Sequence, residues 1–142
     1  MKINEVQEQI ITEFSMIGGD MEMATLFVME SGEKLPAMED SLKTESNLVK
    51  GCQSKVWLSP EIINGKINFH ADSNAAITKG LIYFLIRIFN GRTPEEILES
   101  ELFFMDKIGM NRFIGTQRSN GFLSMIKQIK MYALAFKSKI NA

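Results

Sequence analysis

The sequence predicts an α+β fold: a small antiparallel sheet of about three strands packed against helices, in a single domain over residues 1–142. Three observations carry this prediction. Apolar residues recur at helical spacing in both terminal thirds of the chain. They alternate with polar residues in the middle. Between two apolar runs there stands Asn64-Gly65, the pair suited to a two-residue hairpin turn whose centres both need positive φ. The order helices, sheet, helices puts the helices on one face of the sheet.

The first helix is expected to start at an Asn4 cap, with Gln7 at its third position and Val6, Ile10, Phe14 and Ile17 on one face; Gly18-Gly19 end it. Asp20 caps a second helix to about Glu30, closed by Ser31-Gly32. "KLPAMEDSL" reads as a turn with one helical turn. Val49 leads into a turn at Gly51-Cys52, and "KVWL" and "EIINGKINFHA" supply the strands. Ile67, Phe69 and Ala71 should face inward and His70 outward, while Pro60 marks an edge or a bulge. Trp57 is expected in the sheet core. Ser73 caps a helix over Asn74 to Phe89, apolar over most of its circumference and therefore central. Thr93-Pro94-Glu95-Glu96 is a capping box with proline at the first helical position, opening a short helix to Glu99. "LFFMDKIGM" forms another, ending at Gly109. The last helix runs from Arg118 to about Lys139, with Phe122, Ile126, Ile129, Ala133, Phe136 and Ile140 as its stripe.

Composition removes several function classes. A net charge of −1 offers no general attraction to nucleic acid or membrane. The charge is nonetheless uneven: residues 1–48 carry ten acids and three bases, residues 49–142 seven acids and thirteen bases. The start is amphipathic and acidic, unlike a signal peptide. The most apolar run, "GLIYFLIRIF", is interrupted by Arg87 and too short to span a bilayer. A cytoplasmic location is expected. One cysteine allows no internal disulfide, and one cysteine with one histidine cannot build a structural zinc site from those ligands.

The lone cysteine, Cys52, lies in a turn after Gly51, outside any apolar periodicity. Two readings are open at this point: a small buried hydrophobe, or a reactive thiol. Lys50 and Lys55 would favour the thiolate, and Gln53 and Ser54 offer donors to a sulfur anion. Disulfide exchange within the chain lacks a second cysteine, and cluster ligation lacks the ligands. Hydrolysis would need His70 as base, which the strand alternation turns away to solvent. A thiol that accepts a group from one protein and passes it to another remains.

"VKGCQSKVWL", "ADSNAAITKGLI", "NGRTPEEIL" and "QRSNGFLSMIKQIKMYA", with "SGEKLP" upstream, resemble the SufE family of sulfur acceptors in iron–sulfur cluster assembly. The resemblance implies a SufE/IscU-like fold. It implies that Cys52 takes persulfide sulfur from a SufS-type cysteine desulfurase, stimulates that enzyme and passes sulfur to a downstream cluster-assembly scaffold. No cofactor or metal would reside in this chain; the partner desulfurase would carry pyridoxal phosphate. Lys50, Gly51, Gln53, Ser54, Asp72 and Arg118 are the expected loop and partner-contact residues, with Gly51 as hinge. Asp72 is expected to brace the turn into the long helix, and Gly121 to allow close packing. The chain departs from the family pattern at Asn74, where aspartate is common, and at Gly115-Thr116-Gln117. Competing readings are a paralogue serving a different desulfurase, an interaction module in which Cys52 only packs, and a cysteine hydrolase using His70.

Overall fold

The computed structural model describes residues 1–140, the side chain of Ile140 excepted. Helices α1 (Ile3–Ser15) and α2 (Met21–Gly32) are followed by two 3₁₀ turns, Asp40–Leu42 and Glu45–Asn47. Strands β1 (Val56–Ile63) and β2 (Lys66–Ser73) form an antiparallel hairpin. Helices α3 (Ala76–Phe89), α4 (Pro94–Glu99), α5 (Phe104–Ile108), α6 (Met110–Ile114) and α7 (Thr116–Ile140) complete the order.

The hairpin turn is as expected: Asn64 and Gly65 have φ of 52° and 78°, and Ile63 pairs with Lys66. The register pairs Pro60 with Phe69, whose N–H donates to Asn90 Oδ1 at 2.8 Å, away from β1. Pro60 thus stands at a pair where the ladder asks for no N–H. Val56, Leu58, Ile67, Phe69 and Ala71 point inward, toward α3 and α7, and His70 points out.

The sheet has two strands among the described residues, not three. The segment before the Cys52 turn contributes one bridge, Leu48 opposite Trp57, with Val49 N–H donating to Val56 O at 2.8 Å. The preceding 3₁₀ turns leave no extended run to pair. On the other edge, Ile67 bonds the backbone of Gly91 and Arg92, so a bend rather than a strand satisfies it. Trp57 is half-buried rather than core: the two-residue period that buries Val56 and Leu58 turns it to the other face, under the Lys43 ammonium at 5.7 Å.

Helix α3 is central, as its apolar circumference predicts. Leu81, Phe84, Leu85, Ile88 and Phe89 are buried, and it packs on α1, α2, α7 and β2. Arg87 makes a two-pronged ion pair with Glu13 of α1 and adds a bond to Gln9 Oε1 at 3.3 Å. The α2–α3 crossing depends on two glycines. A Cβ on Gly80 would lie 1.9 Å from Val28 O, and one on Gly32 would lie 2.7 Å from Gly80 N.

Several helix starts differ from expectation. The N-cap of α1 is Lys2, not Asn4, with Lys2 N–H donating to Glu5 Oε1 at 3.1 Å. Ile17 falls past its end. Gln7 is fully buried instead of capping. Its carbonyl oxygen accepts from Phe103 N–H (2.7 Å) and Phe104 N–H (3.2 Å), and its amide donates to Glu101 O (3.1 Å) and Asn4 Oδ1 (3.3 Å). Gln7→Leu would leave two backbone donors unsatisfied, so a destabilisation of about 2–3 kcal/mol is expected by urea unfolding; stability within about 0.5 kcal/mol of wild type would refute this role. Helix α3 starts two residues late, at Ala76, because Asn74 is bonded to Lys55 and Ser73 Oγ takes the Ala75 N–H at 3.2 Å. Helix α6 is an addition to the expected elements; the left-handed Gly109 (φ 65°) ends α5 and turns directly into it. The Asp20 cap and the Thr93–Glu96 capping box are present. In α7, Phe122, Ile129 and Ala133 are buried as expected, Ile126 and Phe136 partly so, and Met125 joins them; the Ile140 side chain lies outside the described residues.

Candidate functional site

The turn carrying Cys52 is closed at its base by two independent ties. One is the Val49–Val56 backbone bond. The other is Asn74, whose Oδ1 accepts from Lys55 N–H at 3.1 Å and whose N–H donates to Lys55 O at 3.4 Å. The amide oxygen of Asn74 thus holds the base of the loop. Asn74→Ala is expected to release about 1 kcal/mol of loop ordering. Hydrogen exchange at the Lys55 amide should quicken about fivefold while global melting stays put; unchanged exchange would contradict the tie.

Between these ties the turn leans on the first turns of α7. Gly51 has φ 91°, a conformation that glycine adopts without strain, and a Cβ there would come 2.6 Å from Ser124 Oγ. Cys52 is half-buried, and its Sγ–H donates to Gly121 O at 3.5 Å. Gly121 lies directly beneath: an added Cβ would be 3.5 Å from the sulfur. The close packing at Gly121 is thus packing against the cysteine itself.

Beside the sulfur is a cavity of about 70 Å³. Its walls are Cys52, Thr78 and Leu81 of α3, and Arg118, Gly121 and Met125 of α7; Gln53, Ser54 and Gln117 border it too. A cavity needs about 10–15 Å³ of such space to hold one water molecule, so one further sulfur atom fits. Arg118 is exposed at this rim, beside the cysteine loop, and donates from Nη1 to Ile114 O at 3.3 Å.

The other expected site residues differ in exposure and in whether they reach the cavity. Lys50 and Gln53 are exposed and Ser54 is half-buried. Asp72 does not line the cavity. It accepts from Ser73 N–H at 2.8 Å and bonds Lys43 Nζ (3.0 Å) and Lys79 Nζ (3.4 Å), bracing the sheet end against α3 and the 3₁₀ segment. Burial pulls its carboxyl upward, but the Lys43 and Ser73 hydrogen bonds and the Lys79 charge outweigh this and hold it below the usual range. His70 is paired with Glu61 at 2.8 Å and is not a cavity residue, so it is not placed as a base for the sulfur.

The thiol's ionisation also departs from the sequence expectation. Lys50 and Lys55 are both exposed, and burial pushes the Cys52 thiol up instead of their charge drawing it down. In the docked loop the sulfur is held as a neutral thiol. The depth at which the turn sits has no signal in the local sequence.

The family model for the SufE Fe–S metabolism associated domain matches residues 8–133, nearly the whole described chain. The chain belongs to the SufE family. An uncharacterized SufE-like protein of Synechocystis sp. is 36% identical over 106 residues, covering 75% of this chain and 67% of that one. An uncharacterized SufE-like protein of Rhizobium meliloti is 34% identical over 131 residues, covering 89% and 93%. One of Rhizobium etli is 35% identical over 128 residues, covering 87% and 86%. The solution structure of a hypothetical protein from Thermus thermophilus superposes with a TM-score of 0.76 at 18% identity, over 94% of this chain and 96% of that one, and so shares the fold. The SufE domain assigns the protein a role in Fe–S metabolism. Among the described residues, no helix is long and apolar enough to cross a membrane, and no group of three or more His, Cys, Asp or Glu residues could hold a metal ion.

Proposed function

We propose that this SufE protein is a sulfur acceptor and carrier. Cys52 takes sulfane sulfur from a SufS-type cysteine desulfurase in the cytoplasm, stimulates that enzyme by clearing its persulfide, and passes the sulfur to an iron–sulfur cluster scaffold. The observation that carries the reading is the site itself. The only cysteine of a SufE-family chain stands in a glycine turn beside a cavity with room for one more sulfur.

The chemistry is a transfer without net oxidation. The Cys52 sulfur attacks the terminal sulfur of the partner's cysteine persulfide. A new S–S bond forms at Cys52, the partner's S–S bond breaks, and the proton of the Cys52 thiol ends on the departing partner thiolate. Release of the turn lifts the burial that disfavours the thiolate and leaves the sulfur in water beside the exposed Lys50 and Lys55. Redocking against Gly121 then shelters the product from stray thiols.

The test is incubation with a cysteine desulfurase, cysteine and pyridoxal phosphate, followed by non-reducing mass spectrometry. A gain of one sulfur atom at Cys52 is expected. No gain beside an active desulfurase would refute the assignment and leave a packing module.

A further inference from the structure

Thr78 carries a feature that the acceptor role of Cys52 does not by itself require. It lies on the buried face of α3, 6% exposed, on the wall of the Cys52 cavity. Buried side-chain hydroxyls are ordinarily hydrogen-bonded. Among the described residues none of the hydrogen bonds involves the Thr78 hydroxyl, yet no polar side-chain atom is sealed in the interior without a partner. The Thr78 oxygen must therefore open onto accessible space, and the space that Thr78 borders is the cavity. Of the α3 and α7 residues that line the cavity with it, Leu81 and Met125 are apolar and buried, and neither Gln117 nor Arg118 hydrogen-bonds to it.

We propose that the Thr78 hydroxyl is a binding group for the second sulfur of the Cys52 persulfide, making the cavity a one-atom subsite for anionic sulfane sulfur. The inference deepens the acceptor reading and rests on it. A persulfide is more acidic than its parent thiol, so the terminal sulfur is anionic at neutral pH. An O–H donor on the cavity wall meets that charge, and Arg118, which lines the same cavity, adds a positive side chain nearby. Hydrogen bonds to charged groups are the stronger ones, and a buried anion without a donor is costly. Holding the sulfur as an anion also protects it, because thiols attack the protonated persulfide. Thr78 acts as a positioning residue for the cargo; no bond to it forms or breaks.

The experiment bypasses the desulfurase. Wild type, Thr78→Val and Thr78→Ser are loaded with inorganic polysulfide: the Cys52 thiolate takes one sulfur atom, and the polysulfide leaves one atom shorter. After desalting, glutathione is added and the persulfide is followed by mass spectrometry, with melting curves recorded alongside. Thr78→Val keeps the shape and removes the donor; it should lose sulfur about tenfold faster at an unchanged or higher melting temperature. Thr78→Ser should stay within about twofold of wild type, a rescue that a packing role would not produce. Equal loss from wild type and Thr78→Val, or loss from Thr78→Ser as fast as from Thr78→Val, overturns the inference. If fast loss from Thr78→Val is found while the desulfurase fails to load wild type, the subsite stands and the acceptor role falls.

Discussion

Gly80→Ala is expected to destabilise the protein by about 3–5 kcal/mol, lowering the melting temperature by roughly 10 °C or more. The added methyl would sit 1.9 Å from Val28 O and 2.6 Å from the carbonyl carbon. Both are backbone atoms of α2, so no rotamer relieves the overlap; the two helices must separate. Alanine would gain about 1 kcal/mol in helix propensity, which works the other way and is too small to compensate. Separation also opens the reciprocal contact at Gly32, whose own Cβ position lies 2.7 Å from Gly80 N. A typical domain has about 5–15 kcal/mol in hand, so the loss is a large fraction of the total. Differential scanning calorimetry decides it: a midpoint within about 2 °C of wild type would mean that the crossing tolerates a methyl and that the close approach is not required. Because α3 also carries Thr78 and Leu81 to the sulfur cavity, partial separation should shorten persulfide lifetime before the fold is lost.

Cys52→Ser is expected to abolish sulfur acceptance outright while leaving the fold unchanged. Serine is close in size, and its hydroxyl can still reach Gly121 O, but oxygen cannot take up sulfane sulfur and keep it as a carrier. The wild-type thiol gives a graded version of the same test. Burial raises its ionisation point, so alkylation by iodoacetamide should show a midpoint above the free thiol value of about 8.5. The sign for the docked loop follows. A neutral thiol costs the docked form nothing at low pH. As pH rises from the undocked value through the raised docked value, the docked form loses stability relative to the undocked one. Loop release should thus grow with pH above about 8.5, seen as faster amide exchange at Gln53 and Ser54. An alkylation midpoint at or below about 8 would show that the nearby cations govern the sulfur after all.

Both effects turn on contacts between segments distant in the chain, and the legibility of the fold divides along the same line. Asn64-Gly65, Asp20 and Thr93-Pro94-Glu95-Glu96 are legible because each acts through its own backbone within three residues. The central place of α3 is legible because an apolar circumference has no solvent-facing solution. Gln7 reads as part of a cap only because its partners, Phe103 and Phe104, are 96 and 97 residues away. Trp57 reads as core on size alone, although the alternation that buries Val56 and Leu58 turns it to the other face.

At the site, the sequence alone singles out Cys52, its glycine and Arg118, since a unique thiol in a turn and matching family blocks are local facts. Only the tertiary structure decides that the sulfur rests on Gly121, that Asn74 ties the loop base, and that Thr78 shares its cavity. It also decides the protonation state. Charge neighbours in sequence favour the thiolate, but they are exposed to water of high dielectric, where their field is weak. Desolvation depends on how α3 and α7 close over the turn, and that is set by packing between segments far apart in the chain.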